Sequence, residues 1–152
     1  MVQVNNRKES RIQFLDTARE LETFTIKKCI KFPKRYAKTL TERIVNLSCE
    51  IYEDVTKANS VFLDSEEAFA VREKYITRAE RNLKCFSAQL SVAKEIIDNI
   101  QKTDLMDGDK TNICSSNSWV FWNKLVIDEM RLLSNLRKSD KDRKMELIKQ
   151  LN

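Results

Sequence analysis

Three residue types are scarce or missing in this 152-residue sequence, which has no histidine, one glycine and one proline. Average usage would give about ten glycines and ten prolines in a chain of this length. Turn-rich β-sandwiches and glycine-dependent nucleotide-binding folds are therefore disfavoured. A chain of this size buries about 70% of its unfolded surface on folding, which is enough for one core. The sequence therefore predicts one all-α domain over residues 1–152.

The same shortages restrict the chemistry. Without histidine there is no Ser-His-Asp or Cys-His arrangement, no imidazole metal ligand and no imidazole base. One glycine is too few for a glycine-rich loop around a phosphate. The paired acids Glu66/Glu67 and Asp140/Asp142 are placed as helix caps or surface charges rather than as metal ligands. We therefore expect a binding or assembly protein with no catalytic residue, no metal site and no cofactor, and not an enzyme.

Four cysteines form no Cys-x-x-Cys pair and have no metal-ligand spacing: Cys29, Cys49, Cys85 and Cys114. We interpret them as reduced thiols, buried or incidental, of an intracellular protein. The polar N-terminus lacks the apolar core of a signal peptide, and no stretch approaches about 18 uncharged apolar residues. The sequence thus predicts a soluble, cytoplasmic protein without a membrane partner.

Apolar residues that recur every three or four positions predict four helices. We place the first over about 11–31, the second from a corner at Phe32 and Pro33 to near 59, the third over some 35 residues after a cap at Asp64 and Ser65, and the fourth from 119 with Ser118 as its cap. The loop-like stretch 102–118, with Asp107, Gly108 and Asp109, separates the last two. Such amphipathic helices pack most simply as an up-down-up-down four-helix bundle.

The fourth helix is apolar on more than one side. A second row suits either a thick monomer core or a subunit interface, and it consists of Phe121, Leu125, Leu132 and Leu136. The pair Trp119 and Trp122 could stack on bases, yet indoles at this spacing are usually core, and we expect core. The pattern leaves open whether 1–10 and 138–152 are flexible and whether the apolar tail extends the fourth helix.

Positive charge is concentrated in one segment. The net charge is +5, and residues 24–43 alone carry seven basic residues against Glu42. We call these seven residues the basic corner: Lys27, Lys28, Lys31, Lys34, Arg35, Lys38 and Arg43. They are predicted either to bind a polyanion such as RNA or DNA or simply to solvate a helix junction. No base-reading motif is present, so any nucleic-acid binding would recognise the backbone.

The chain resembles a known family around this segment. The matching motifs are Phe14-x3-Ala18-Arg19-x-Leu21, Lys31-Phe32-Pro33-Lys34-Arg35-Tyr36, Leu40-Thr41-x-Arg43-Ile44 and Ala58-Asn59. They resemble the four-helix-bundle proteins that include the accessory variability determinant of diversity-generating retroelements and the proteins encoded in ribosomal RNA intervening sequences. The resemblance covers about the first 60 residues by motif and the rest by helix count.

The resemblance implies a homopentamer with a basic surface that binds nucleic acid and a reverse transcriptase. It assigns Lys31, Lys34, Arg35 and Arg43 to that surface, with Phe32 and Pro33 as structural residues. We accordingly expect a nonenzymatic, nucleic-acid-binding accessory protein that is oligomeric. The alternative is a helical protein-protein interaction module whose basic surface is incidental.

Overall fold

The structure, a computed structural model, describes residues 2–106 and 112–152. Four long helices account for most of these residues, and no strand occurs among them. They are α1 (Val2–Cys29), α2 (Glu42–Ser60), α3 (Glu66–Met106) and α4 (Ser116–Leu151). The prediction of an all-α chain is confirmed. Within the described ranges, none of the helices contains an apolar stretch sufficient to cross a bilayer.

The first and last helices of the chain, α1 and α4, are longer than the sequence predicted. α1 begins at Val2 rather than near residue 11, and it ends at Cys29. α4 continues without a break to Leu151, so the apolar tail extends this helix and does not form a separate turn. The polar runs that suggested helix ends contain neither glycine nor proline, and lysine, arginine and glutamate are good helix formers.

The caps of the last two helices were predicted with unequal success. Ser65 caps α3 as expected, since its Oγ accepts a hydrogen bond from the Ala68 backbone N–H at 3.2 Å. The expected cap of α4 was wrong by one turn. Ser115 is the cap, and its Oγ accepts from the backbone N–H of Ser118 at 3.2 Å. A run of serines offers several possible caps, and the turn that actually closes selects one of them.

The connection between α3 and α4 is shorter than predicted. α3 has 41 residues and reaches Met106, and α4 already begins at Ser116. Gln101 holds the end of this connection, because its Oε1 accepts from the backbone N–H groups of Ile113 and Cys114 at 2.8 and 2.9 Å. The predicted loop residues 107–109 lie outside the described residues.

The first two turns of α3 face the core with a different row of residues from the expected one. Apolar residues at steps of three and four, Ala68, Val71 and Tyr75, predict a core row through Val71. Val71 is nevertheless 45% exposed, whereas Arg72 is only 4% exposed. Arg72 can be buried because its Nε lies 2.8 Å from Oδ2 of Asp140 on α4. The core row of this region therefore runs through Phe69, Arg72 and Ile76. A pattern that counts arginine as a surface residue selects the wrong row.

The two tryptophans lie in the core, as predicted. Trp119 is 2% exposed and Trp122 is fully buried, and their rings stack at a centroid distance of 5.3 Å. The second apolar row of α4 is largely used within the chain, since Leu125 and Leu136 are buried. That row therefore contributes to the core of the monomer.

One carboxyl group is enclosed within this apolar interior. Glu129 on α4 has no exposed surface, and neither of its carboxylate oxygens has a hydrogen-bond partner among the residues that the structure describes. Burial raises the pKa of Glu129 to about 9. Because a buried carboxylate without a partner is costly, this side chain is protonated at neutral pH and weakens the fold there.

Replacing Glu129 with leucine is expected to stabilise the protein at neutral pH. A carboxyl whose pKa is raised on folding supports the folded state fully only below its unfolded pKa. In the wild-type chain, the contribution of Glu129 to the free energy of unfolding therefore falls as pH rises from about 4.5 towards 9, by about 1.4 kcal/mol per pH unit. At pH 7 this contribution is roughly 3 kcal/mol lower than below pH 4.5. Urea unfolding of both chains across this range measures the difference.

The control is Glu95→Leu, which removes an exposed glutamate of α3. It should leave the pH dependence unchanged. No histidine titrates in this range, so the difference between wild type and Glu129→Leu reports Glu129. Equal pH slopes for these two chains would contradict the assignment.

Candidate nucleic-acid interface

The basic corner is formed where α1 ends and the helical segment leading to α2 begins. The last turn of α1 closes through backbone hydrogen bonds, including Phe32 N–H to the Cys29 carbonyl at 3.1 Å. Pro33 then adopts an extended conformation, with φ −58° and ψ 135°, and starts a 3-10 turn over Lys34–Tyr36. A π-helical turn over Ala37–Thr41 leads into α2. The proline corner predicted from the sequence is confirmed.

Apolar side chains fix this corner to the core. Phe32 is 5% exposed, and its ring centroid lies 6.2 Å from that of Trp122 and 6.5 Å from that of Trp119. Leu40, in the π-helical turn, is 2% exposed. Because these two residues point inward on either side of Pro33, the polar residues between them are left at the surface.

The basic side chains lie at the surface, as predicted. Six of the seven are exposed, and Lys28 is half-buried. Lys28 Nζ lies 5.3 Å from the ring centroid of Phe24, and Arg35 Cζ lies 5.0 Å from that of Tyr36. Cation-π contacts of this kind order a cationic side chain without neutralising its charge. The corner therefore presents its positive charges to solvent.

No acidic partner of these cations occurs among the side chains that the structure describes, those of residues 13–103 and 112–152. The ion pairs there involve other basic residues, and none includes a member of the basic corner. Lys27 and Lys28 stand in the last turn of α1, where the helix dipole favours cations. Lys34 and Arg35 instead lie in a 3-10 turn of three residues, which is too short to have a comparable dipole. Stabilisation by dipoles thus accounts for only part of the corner.

The segment before α4 lies close to the basic corner. Burial, with a smaller contribution from the negative charge of Asp98, raises the pKa of the Cys114 thiol, and the positive charges of Lys28 and Lys31 oppose this rise. Lys94 of α3 acts on the same thiol, although its Nζ is paired with Asp98 at 2.6 Å. Sequence analysis missed Lys94, because its proximity depends on how α3 packs and not on the local charge count.

All four cysteines carry free thiols. Cys29 and Cys114 are buried, Cys49 is half-buried and Cys85 is exposed. Burial raises the pKa of Cys29 to about 12, so this thiol remains protonated at neutral pH. The buried pair fits the predicted role of structural thiols, whereas Cys85 is a surface residue.

The acidic pairs differ from one another. Glu66 and Glu67 occupy the first turn of α3, which is the capping position expected of them. Asp140 was expected at the surface, but it is 9% exposed and pairs with Arg72. Among the described residues, no group of histidine, cysteine, aspartate or glutamate side chains has the geometry of a metal site.

A comparison of the chain with protein-family models, with curated proteins and with solved structures finds no match. The resemblance to the retroelement accessory proteins therefore stays a prediction that depends on the motifs in the first two helices.

A hydrogen bond beneath the corner holds Trp122 in place. Its Nε1 donates to Thr25 Oγ1 at 2.9 Å, and the Thr25 hydroxyl donates to the Leu21 carbonyl at 2.7 Å. Both side chains are fully buried. Since Trp122 contacts Phe32, this bond supports the anchor of the basic corner.

Thr25→Val is expected to lower the free energy of unfolding by about 1–3 kcal/mol, because it leaves the indole N–H buried without an acceptor. Valine has nearly the same shape, so the loss should arise from the hydrogen bond. Denaturant unfolding measures it. Thr23→Val, at an exposed position of the same helix, is the matched control, and an equal effect of the two substitutions would contradict this role.

Proposed function

We propose that the protein binds the phosphate backbone of nucleic acid through the basic corner, as a nonenzymatic accessory protein. The observation that carries the proposal is a set of seven cations, six of them exposed, without an acidic partner in the described chain. Like charges held together cost free energy unless an anion offsets them. A phosphate backbone supplies repeated anions and gains affinity by releasing its counterions.

The two sides of the corner contribute to the same surface. Lys27 and Lys28 come from the last turn of α1, Lys31 comes from the turn that follows it, and Lys34, Arg35 and Lys38 come from the turns before α2. Phe32 and the aromatic cluster fix the backbone that carries them. An anion placed here meets cations from both sides, whereas the buried tryptophans are not available to stack on bases. The proposed recognition is therefore of backbone and shape, for RNA or for DNA.

The proposed architecture is an up-down-up-down four-helix bundle. Contacts between α3 and α4 support it, since Arg72 pairs with Asp140, Glu80 pairs with Arg137, and Phe86 contacts Trp122. Residue numbers on α4 decrease, from 140 to 137 to 122, as those of their partners on α3 increase, from 72 to 80 to 86. This order is that of an antiparallel pair. Helices α1 and α2, like α2 and α3, are joined by short connections, which favour antiparallel neighbours.

The proposal includes assembly into a homo-oligomer, a pentamer by resemblance, that serves the reverse transcriptase of a diversity-generating retroelement. Several copies of the basic corner in one particle would bind one nucleic acid by avidity, even where each phosphate contact is weak. This part depends on the family resemblance and on the exposed basic corner.

An interaction module for a protein partner is the second candidate function. Val120 and Ile127 lie on one exposed face of α4 and are 68% and 65% exposed. Residues seven apart on a helix share a face, and Lys124 lies between them. A partner helix that packs on this face would bind with little dependence on salt, unlike a polyanion.

Charge reversal tests the role of the basic corner. The combined substitution of Lys31, Lys34 and Arg35 by glutamate is expected to abolish binding of structured RNA or duplex DNA in a salt-titrated gel shift. Wild-type affinity should fall steeply with salt, by about 0.7 to 0.9 log units per log unit for each phosphate contact. Circular dichroism should show unchanged helicity, because all three side chains are exposed.

The matched control reverses three exposed lysines elsewhere: Lys84, Lys124 and Lys149. It changes the net charge by the same amount and should retain most of the affinity. If both triple variants lose binding equally, the net charge and not the corner is responsible. If the corner variant binds like wild type, the proposed interface is wrong.

Light scattering coupled to size exclusion tests assembly. We expect one oligomer at low and high salt, and capture of nucleic acid only at low salt, because phosphate contacts are screened. The corner variant should keep the oligomer and lose the nucleic acid. If the protein is a monomer at every salt concentration and does not bind nucleic acid, the protein-protein interaction module is the better account.

A further inference from the structure

A second feature lies between α2 and α3, and none of its residues belongs to the basic corner. It is a cleft of about 300 Å³. Small-molecule sites span roughly 300–1,000 Å³, so its volume suits a compact ligand. The walls carry opposite charges, with Glu50, Glu53 and Asp54 on α2 and Arg78, Arg81 and Asn82 on α3.

Most of the opposing charges do not form ion pairs with each other. Within the described chain, one ion pair crosses the cleft, from Arg78 Nε to Asp54 Oδ1 at 3.8 Å. Glu50, Glu53 and Arg81 form no ion pair there. The side chain of Arg78 is 53% exposed, so it is free to turn towards a ligand. The cleft thus keeps its three acids on α2, together with Lys57, and its two arginines on α3, with space between the helices.

Asp54 forms the floor of the cleft. The residue is 2% exposed, and its Oδ2 accepts a hydrogen bond from Asn82 Nδ2 at 3.3 Å. Among the described side chains, Arg78 pairs with its Oδ1 through Nε at 3.8 Å, a distance too long for a hydrogen bond. Burial raises the pKa of Asp54, and the charges of Arg78 and Lys57 partly oppose this rise. A cationic ligand that donates a short hydrogen bond to Oδ1 would bind it more strongly than this long contact does, because charge-assisted hydrogen bonds are stronger at short distance.

We propose that this cleft binds a small zwitterion of the free amino-acid type. Its ammonium group would lie on Asp54 Oδ1 and the Glu50 carboxylate, and its carboxylate would lie on the guanidinium groups of Arg78 and Arg81. Guanidinium groups suit this role because they bind carboxylates through two parallel hydrogen bonds.

The charge balance of the lining disfavours ligands that carry a single charge. The lining includes three carboxylates and, counting Lys57, three cations. A lone amine would meet the three cations, and a lone carboxylate would meet the three acids. A molecule that carries both charges matches each wall with its opposite. The proposal does not depend on the nucleic-acid function, because the two sites share no residue.

Isothermal titration of the full chain with each protein amino acid tests the site, with ethylamine and acetate as probes of one charge each. At least one amino acid should bind, and ethylamine and acetate should bind at least about tenfold more weakly. Asp54→Asn and Arg81→Gln should each weaken that amino acid at least about tenfold, because each removes a charge-assisted contact. Glu95→Gln and Lys84→Gln neutralise exposed residues of α3 outside the cleft and should not change affinity.

Three results would overturn the proposal: no amino acid binds at millimolar concentration, ethylamine or acetate binds as tightly as the amino acid, or Arg81→Gln leaves affinity unchanged. Circular dichroism checks that Asp54→Asn remains folded. Because Arg81 is exposed, its substitution decides the matter even if the Asp54 variant does not fold.

Discussion

The contact between Phe32 and the two tryptophans fixes the position of the candidate interface. Trp122 meets Phe24 of α1, Phe32 of the corner and Phe86 of α3 at ring-centroid distances of 5.7, 6.2 and 6.3 Å. Large aromatic side chains bury about 150–250 Å² each, so this cluster connects the first half of the chain to the second. Because Phe32 is held inside, the lysines on either side of it are directed to solvent. The surface charge depends on the buried ring.

Apolar periodicity predicted the helices well and the buried charges badly. The core row of α2, for example Ile44 and Ile51, and the proline corner were evident because they depend on local spacing and on the chemistry of one residue. Arg72, Asp140 and Glu129 were missed because a pattern of polar and apolar residues assigns every charge to the surface. Their burial depends on which helices face each other, and the sequence alone does not supply that.

The two candidate sites differ in the same way. The basic corner could be predicted because its residues are close in the chain and share one sign of charge. The cleft could not, because Asp54 and Asn82 are separated by 28 positions and come together only through packing of α2 on α3. A count of charges along α2 and α3 shows a mixture of signs, which resembles any solvated helix face. Only the structure shows that acidic and basic side chains face each other across the cleft and that most of them form no ion pair there.

The proposed binding role accounts for the charge of the corner better than solvation alone would. Lys27 and Lys28 are favoured by the dipole of α1, whereas Lys34 and Arg35 lie in a three-residue 3-10 turn and have no comparable dipole to offset their repulsion from the other cations. A corner that only needed solvation could carry neutral polar residues at these two positions at lower cost. A phosphate bound as proposed would be attracted by all of these cations together. The repulsion that weakens the free protein would then be replaced by attraction in the proposed complex.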